Sequence, residues 1–482
     1  MEKSKRKFLK NTAMACSAII IVPSHVLFAK KEVRDRKGEL VRYGSVVPSD
    51  KINLACCGIG NQGGSDMNIM YNTGLCNIVA LCDTDMGAPH TLNHIKKFPY
   101  IPQYRDFRKM FDKMTNDIDA VLVGTPDHSH FPITMLALSL GKPVYVEKPL
   151  ARTFNEIELM MKAAKKYGVV TQMGNQGHSE ANYFQFKAWT EAGIIKDVIT
   201  IIAHMNGGRR WHKFDVNMKK LPDPEPIPET LDWDTWLMAV QHHDYNKDFI
   251  NGQWRCWYDF GMGALGDWGA HIIDTAHEFL DLGLPFEINP IKLEGHNPFF
   301  FPMASTILFR FPERDGMPPC DITWYDGVNN IPEVPEGYGV SELDPNIPPT
   351  SVGKIQPSKL NPGKIIYSRD LIFKGGSHGQ TLSIIPEEKA KEMEHLLPEV
   401  PESTSNHWAN FLKAVKGEEK VRSPFEVAGP LSQIFCLGVL AQKLNTKLEF
   451  DRKKKIITNN RLANELLVGA PPRKGWEEFY KL

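Results

Sequence analysis

The hexapeptide Gly58-Ile59-Gly60-Asn61-Gln62-Gly63 constrains this chain more than any other segment. It reads GxGxxG, a weak signal alone and a strong one in context. An apolar run of strand length, residues 52–57, leads into it, and a helical stretch over 63–71 follows. A second strand, 78–82, ends at Asp83, the spacing expected of a dinucleotide-binding unit. Gly58 permits the tight turn, Gly60 lets backbone amides approach a pyrophosphate, and Gly63 allows the helix to close on the strand; Asn61 and Gln62 lie in the same loop. The helix N-terminus favours the anion. Asp83 can accept hydrogen bonds from adenosine ribose hydroxyls. Its charge repels a 2′-phosphate and no arginine adjoins it, which favours NAD over NADP.

The alternation of strands and helices continues. A strand over 120–123 ends at Gly124-Thr125-Pro126, and a helix over 132–140 is closed by Gly141. A strand over 144–146 ends at Glu147-Lys148-Pro149. Thr153 and Glu156 form a capping box for a helix whose stripe is Ile157, Met160, Met161 and Ala164. The expected fold is α/β: a Rossmann domain with a parallel, doubly wound sheet over 51–174. Beyond it, strands at 199–204, 306–311, 322–325 and 370–373 lack regular intervening helices. They imply an α+β domain over 175–425 with a mostly antiparallel sheet. Residues 331–362, rich in proline and glycine, read as loop. Helices are expected at 407–415 and 430–444, with 426–482 forming a C-terminal helix and tail that pack back on the core.

Lys+Arg and Asp+Glu both number 57 in 482 residues, so the balanced charge gives no reason to expect nucleic acid as a partner. The eight cysteines show no zinc spacing, and Cys56, Cys57 and Cys82 read as small core residues. Lys3, Lys5, Arg6, Lys7 and Lys10 precede a mostly apolar stretch over 13–22 and a cleavage region ending at Ala29. This is a secretory signal over 1–29, followed by a polar linker over 30–50. Ser4-Lys5-Arg6-Lys7-Phe8-Leu9-Lys10 resembles the twin-arginine export motif, with Lys5 in place of the first arginine, so the expected location is the periplasm. No other stretch reads as a membrane span.

Three residues could carry chemistry. Lys148 sits at the C-terminal end of a parallel strand, where open sheets place ligands. Burial and nearby charge can make such a lysine a proton donor or acceptor. Asp267 and His271 are four apart and share a helix face, so the carboxylate could fix the imidazole tautomer. The pair suits proton removal from a hydroxyl while hydride leaves the same carbon. Asp274 and His277 extend that helix, but no second cluster accompanies them, so no metal site is expected.

The ordered set GxGxxG, Thr125-Pro126-Asp127-His128-Ser129-His130, Glu147-Lys148-Pro149 and Asp267-x-Gly-x-His271 resembles the glucose–fructose oxidoreductase/inositol dehydrogenase (Gfo/Idh/MocA) family. The resemblance implies Lys148 and His271 as acid/base groups with Asp267 as partner. It places Thr125, Pro126, Asp127, His130 and Glu147 along the cofactor, and Asn175, Gln176 and His178 at the domain interface, His178 toward substrate. Arg255, Trp257 and Tyr258 precede the Asp267 motif and could shape a carbohydrate pocket, since aromatic faces suit sugar rings. The implied activity is oxidation of a hydroxyl of a sugar, glycoside or cyclic polyol by a tightly bound NAD. The alternatives are an NAD-dependent glycoside hydrolase acting by transient oxidation at C3 and elimination, or a non-enzymatic sugar-binding protein. A dimer or tetramer is expected by the same analogy.

Overall fold

The computed structural model describes residues 51–205, 215–328, 330–339 and 360–482. The expected signal over 1–29, the linker over 30–50 and the middle of the expected loop over 331–362 lie outside these residues.

Strands β1 (Ile52–Cys57), β2 (Cys76–Cys82), β3 (Gln103–Tyr104), β4 (Ala120–Val123), β5 (Val144–Glu147) and β6 (Thr171–Gly174) form one parallel sheet in the order β3-β2-β1-β4-β5-β6. Every residue of β4 and β5 is buried, as a sheet covered on both faces requires. The order reverses between β1 and β4, so their C-terminal ends open side by side into a crevice, the usual ligand position in this architecture. The helix after the glycine loop runs Asn61–Asn72, two residues earlier than the apolar pattern indicated, because its first turn is polar. The helix after β4 likewise begins at His130 rather than 132.

The second sheet has nine strands in the order β13-β12-β11-β7-β10-β9-β8-β14-β15. These are β7 (Val198–Met205), β8 (Glu287–Glu294), β9 (Ala304–Phe311), β10 (Cys320–Asp326), β11 (Gly363–Ser368), β12 (Ile372–Gly376), β13 (Leu382–Ile385), β14 (Leu448–Asp451) and β15 (Ile456–Ile457). All neighbours are antiparallel except β7 and β10. The α+β expectation holds for this part of the chain.

The helix Phe425–Leu444 begins five residues before its expected start and contains Pro430. Its Gly429 packs against Met161, and Gly438 against Leu265 and Phe309. By length and composition this helix could cross a bilayer, contrary to the reading of the sequence, but most of it is buried within the fold. The tail returns to the first sheet's helices. Trp476 and Phe479 pack on Phe107, and the Tyr480 hydroxyl donates to Glu156 Oε1 at 2.6 Å. Among the described residues, Cys56, Cys57, Cys82, Cys320 and Cys436 are buried free thiols.

Candidate active site

A cleft of about 470 Å³ opens where β1 and β4 end. Gly58, Gly60, Asn61, Gln62, Asp83, Thr125, Pro126, Glu147 and Lys148 line it, as expected from sequence. Gly63 lies beneath: a Cβ there would sit 2.1 Å from the Gly58 carbonyl oxygen and 2.8 Å from that of Gly124. A Cβ on Gly124 would meet Gly63 Cα at 2.4 Å, so the cradle needs a fourth glycine that the hexapeptide motif does not contain. Gly58, at φ +76°, makes the turn that a side chain would strain.

This cleft suits a dinucleotide on three counts. The helix Asn61–Asn72 starts at Gly60 with no side chain capping its first turn, leaving its amides for an anion. The Asp83 carboxylate is fixed at the far end of the loop, Oδ2 accepting from Ile59 N at 3.0 Å and Oδ1 from Asp85 N at 3.1 Å. Burial pushes that carboxyl above its ordinary range, opposed by these backbone donors. Finally, Thr125 Oγ1 lines the cleft, buried and without a hydrogen-bond partner among the described residues. One sequence inference changes. No arginine adjoins Asp83 along the chain, but Arg105, one residue beyond β3, lines the same cleft.

The other wall comes from residues 231–255. Leu231, Thr235, Trp236, Met238, Ile250, Trp254 and Arg255 face the cleft. This segment is tied to the loop after β2 by an antiparallel bridge between Asp85 and Leu231 and by Asp232 N donating to Thr84 O at 2.8 Å. It therefore straps across the nucleotide side of the crevice.

At the inner end lies a buried charge cluster. Lys148 Nζ donates to Asp267 Oδ1 at 2.7 Å and to the Asp267 carbonyl at 3.0 Å. Arg255 Nη1 lies 3.4 Å from the same Oδ1 and 3.3 Å from Asp127 Oδ1, while Asp127 Oδ2 accepts from Met262 N. Burial pushes the Asp127 carboxyl up to about 6, against the pull of Arg255. Charges alternate through the cluster, which is how buried ions are tolerated.

The expected pairing of Asp267 with His271 is corrected. The Asp267 carboxylate turns to Lys148 and Arg255, and His271 Nδ1 is buried with no hydrogen-bond partner among the described residues. Burial, then Lys148 and His378, hold the His271 imidazole well below its ordinary pKa, so it is neutral at pH 7 and can accept a proton. Its ring stacks on His378 with centroids 3.9 Å apart and planes 20° from parallel. Sequence reading did not single out His378, whose contact with His271 spans more than a hundred residues.

Several expected contacts fall elsewhere. Asp127 braces Arg255 and does not line the cleft. His130 is buried and bridges two carbonyls, Nδ1 2.9 Å from Pro149 O and Nε2 2.7 Å from Thr125 O, so it fixes the ends of β4 and β5. Gln176 donates to Glu147 Oε1 at 2.7 Å and Asn175 to Asp274 Oδ1 at 2.9 Å, both behind the lining residues. His178 is fully buried, with Nδ1 2.8 Å from Asp274 Oδ1 and Nε2 2.7 Å from Glu278 Oε2, and it does not line the cleft. Burial opposes its charge, but the two carboxylates outweigh it and push the imidazole up to about 10. Trp257 and Tyr258 are core residues. Trp257 donates to Asp248 O at 2.8 Å within an aromatic cluster, and Tyr258 packs against Phe301 with the rings tilted. The aromatic wall is Trp254, with the Arg255 guanidinium 4.2 Å over its ring, together with Trp236.

A parallel sheet with a glycine cradle at its switch point, joined to a second part with a mostly antiparallel sheet and a helix that supplies an Asp and a His, defines a nucleotide-dependent oxidoreductase fold. Residues 52–175 match the oxidoreductase family with an NAD-binding Rossmann fold, and residues 181–298 match that family's C-terminal alpha/beta domain. The chain belongs to this Gfo/Idh/MocA family and binds NAD. Among curated relatives, it is 26% identical over 196 residues to inositol 2-dehydrogenase of Salmonella typhimurium, covering 40% of this chain and 54% of that one. It is 27% identical over 223 residues to a glycosyl hydrolase family 109 protein of Shewanella pealeana, covering 39% and 48%. The alignments thus span about half the length of these relatives. The WlbA dehydrogenase of Chromobacterium violaceum, solved with NADH and UDP-GlcNAcA, shares the fold at a TM-score of 0.54 and 14% identity, over 85% of this chain and 99% of that one.

Proposed function

We propose that this protein oxidises a secondary hydroxyl of a sugar, glycoside or cyclic polyol, with NAD held in the glycine-lined cleft and Lys148 and His271 managing the hydroxyl proton. The observation that carries this reading is the buried Lys148–Asp267 contact beside His271, whose Nδ1 has no hydrogen-bond partner among the described residues. An ammonium has three N–H donors. Two go to Asp267, and the third remains to hold a substrate oxygen. The His271 imidazole can then accept the hydroxyl proton, since a base kept neutral at pH 7 is available without prior deprotonation. Arg255 and Asp127 fix the Asp267 carboxylate, so the lysine keeps its aim. Bound in the cleft by Gly58, Gly60, Asn61, Asp83 and Thr125, NAD supplies the hydride acceptor.

The strap over residues 231–255 supports a resident cofactor, because release would require breaking its ties to Thr84 and Asp85. Residence accords with export to the periplasm, where reoxidation would fall to a second, keto substrate. A second reading draws on the similarity to the glycosyl hydrolase family 109 protein: oxidation at C3 acidifies the C2 proton, the aglycone is eliminated, water adds, and the ketone is reduced again. The test is a panel of monosaccharides, inositols and nitrophenyl glycosides with the NAD-loaded protein. Net NADH formation with a free sugar or polyol supports the first reading. Aglycone release without net NADH supports the second. A protein that neither holds nor binds NAD refutes both.

A further inference from the structure

The hairpin between β12 and β13 carries an unusual residue at its tip. His378 has φ +54°, a conformation in which glycine or asparagine is the easier choice. Three contacts hold it there. His378 N donates to the His271 carbonyl at 3.2 Å, and Asn182 N donates to Gly379 O at 2.9 Å. Gly379 also lies so close to Gly177 that a Cβ on the latter would stand 2.7 Å from Gly379 N. The imidazole is oriented in turn by Ser377 Oγ, 2.9 Å from its Nδ1, and by Trp268, whose ring meets it edge-on at 5.1 Å. The result is a parallel stack of two imidazoles, with His378 exposed on the outer side and His271 buried on the inner.

We propose that His378 is a positioning residue for the hydroxyl-oxidation reaction, fixing the ring plane of His271 and shielding it from solvent. This rests on the reading of His271 as the base. A left-handed backbone at residue 378 is retained at the point where the ring reaches His271, and such conformations gather at working sites. Stacking removes the ring-flip freedom of His271, whose Nδ1 has no hydrogen bond among the described residues to orient it. Among the described residues, the titratable groups facing His271 are Lys148 and Arg255 from the nucleotide side, Asp267 one turn earlier on its own helix, and His378 from the hairpin. Lys148, His378 and Arg255 disfavour its protonation, and Asp267 favours it. His378 therefore also helps keep the base in its accepting form.

Two variants separate the roles. His378→Asn keeps the left-handed turn and removes the ring; His378→Phe keeps a flat face and removes the titrating nitrogens. In the NAD-loaded full chain, His378→Asn should lower kcat by roughly tenfold or more with little change in KM, as expected of a misaligned reacting group. His378→Phe should recover most of that loss. In both variants the acid limb of the kcat/KM profile should move up by about one pH unit, and the His271 imidazole should titrate correspondingly higher by NMR. Unchanged kcat and an unchanged His271 titration in His378→Asn would overturn the proposal. The NMR titration needs no turnover. If the wild-type protein oxidises nothing in the panel, the functional reading fails, while a shifted His271 titration would still establish the coupling.

Discussion

Lys148 Nζ and Asp267 Oδ1 lie 2.7 Å apart, and the same ammonium reaches the Asp267 backbone carbonyl at 3.0 Å. One residue directly follows a strand of the parallel sheet and the other sits on the helix Gly263–Ile272. Two segments more than a hundred residues apart are thus joined at the point where chemistry is expected. Both side chains are almost fully buried, 9% and 3% exposed, so each depends on the other for its charge.

Lys148→Met should lower kcat by roughly 10²–10⁴, the range for removing a positioned acid/base group. NAD affinity should change much less, because the glycine cradle is untouched. Asp267→Asn should match that loss and also cost roughly 3–5 kcal/mol of stability, since Lys148 and Arg255 are left buried without their shared carboxylate. Steady-state kinetics and chemical denaturation check both values. Wild-type kcat in Lys148→Met removes the catalytic assignment.

Gly124→Ala should act on the cofactor site through packing alone. The added methyl meets the backbone of Gly63, which cannot yield as a side chain would. Overpacking of this kind costs about 1–3 kcal/mol, and NAD affinity should fall with it. Nucleotide titration by intrinsic fluorescence, paired with a melting curve, measures the two effects. Unaltered NAD binding would show that the cradle tolerates separation of β1 and β4.

His178 should impose a pH dependence on stability rather than on catalysis. Its folded pKa, about 10, is raised above the ordinary value of 6.5. The contribution is therefore fully present below about pH 6.5 and lost as pH rises toward 10. The wild-type melting temperature should decline across that window. In His178→Gln the decline should flatten, with stability near neutrality lowered by roughly 3–5 kcal/mol because Asp274 and Glu278 lose their cation. Equal slopes in the two proteins would contradict the clamp.

Asp83→Ser should narrow the preference for NAD over NADP. The carboxylate at the end of β2 repels a 2′-phosphate, while Arg105 lies in the same cleft and could receive one once the repulsion is gone. NAD affinity should also drop, because Ile59 N and Asp85 N lose their acceptors. Competitive titration of the two nucleotides gives the ratio; an unchanged ratio would place discrimination elsewhere.

The Rossmann half was legible because its signals are local: apolar runs of strand length, a glycine loop, a capping box at Thr153 and Glu156 that forms as read. The second sheet was only half legible. Strand β8 carries Pro290, which argues against a strand, yet the proline sits at a register shift where the ladder can omit a donor. Pro430 similarly hid the true start of its helix. The site residues divide the same way. Lys148 and His271 stand in motifs, whereas Trp254 and Trp257 look equivalent in sequence and both join the aromatic core, but only Trp254 also lines the cleft. Gly124 and His378 matter through contacts made across the fold, with Gly63 and His271, and no spacing along the chain announces them.

The central claim is hydride removal from a carbon bearing a hydroxyl, with Lys148 and His271 handling the proton. Carbon-deuterated inositols and aldoses, incubated with the NAD-loaded protein, test it directly by mass spectrometry of the nucleotide. The expected result is deuterium on the reduced nucleotide with at least one of these substrates, appearing roughly 10²–10⁴ times more slowly in Lys148→Met. Tightly bound NAD that acquires no deuterium from any of them, with no exchange into recovered substrate, would contradict it.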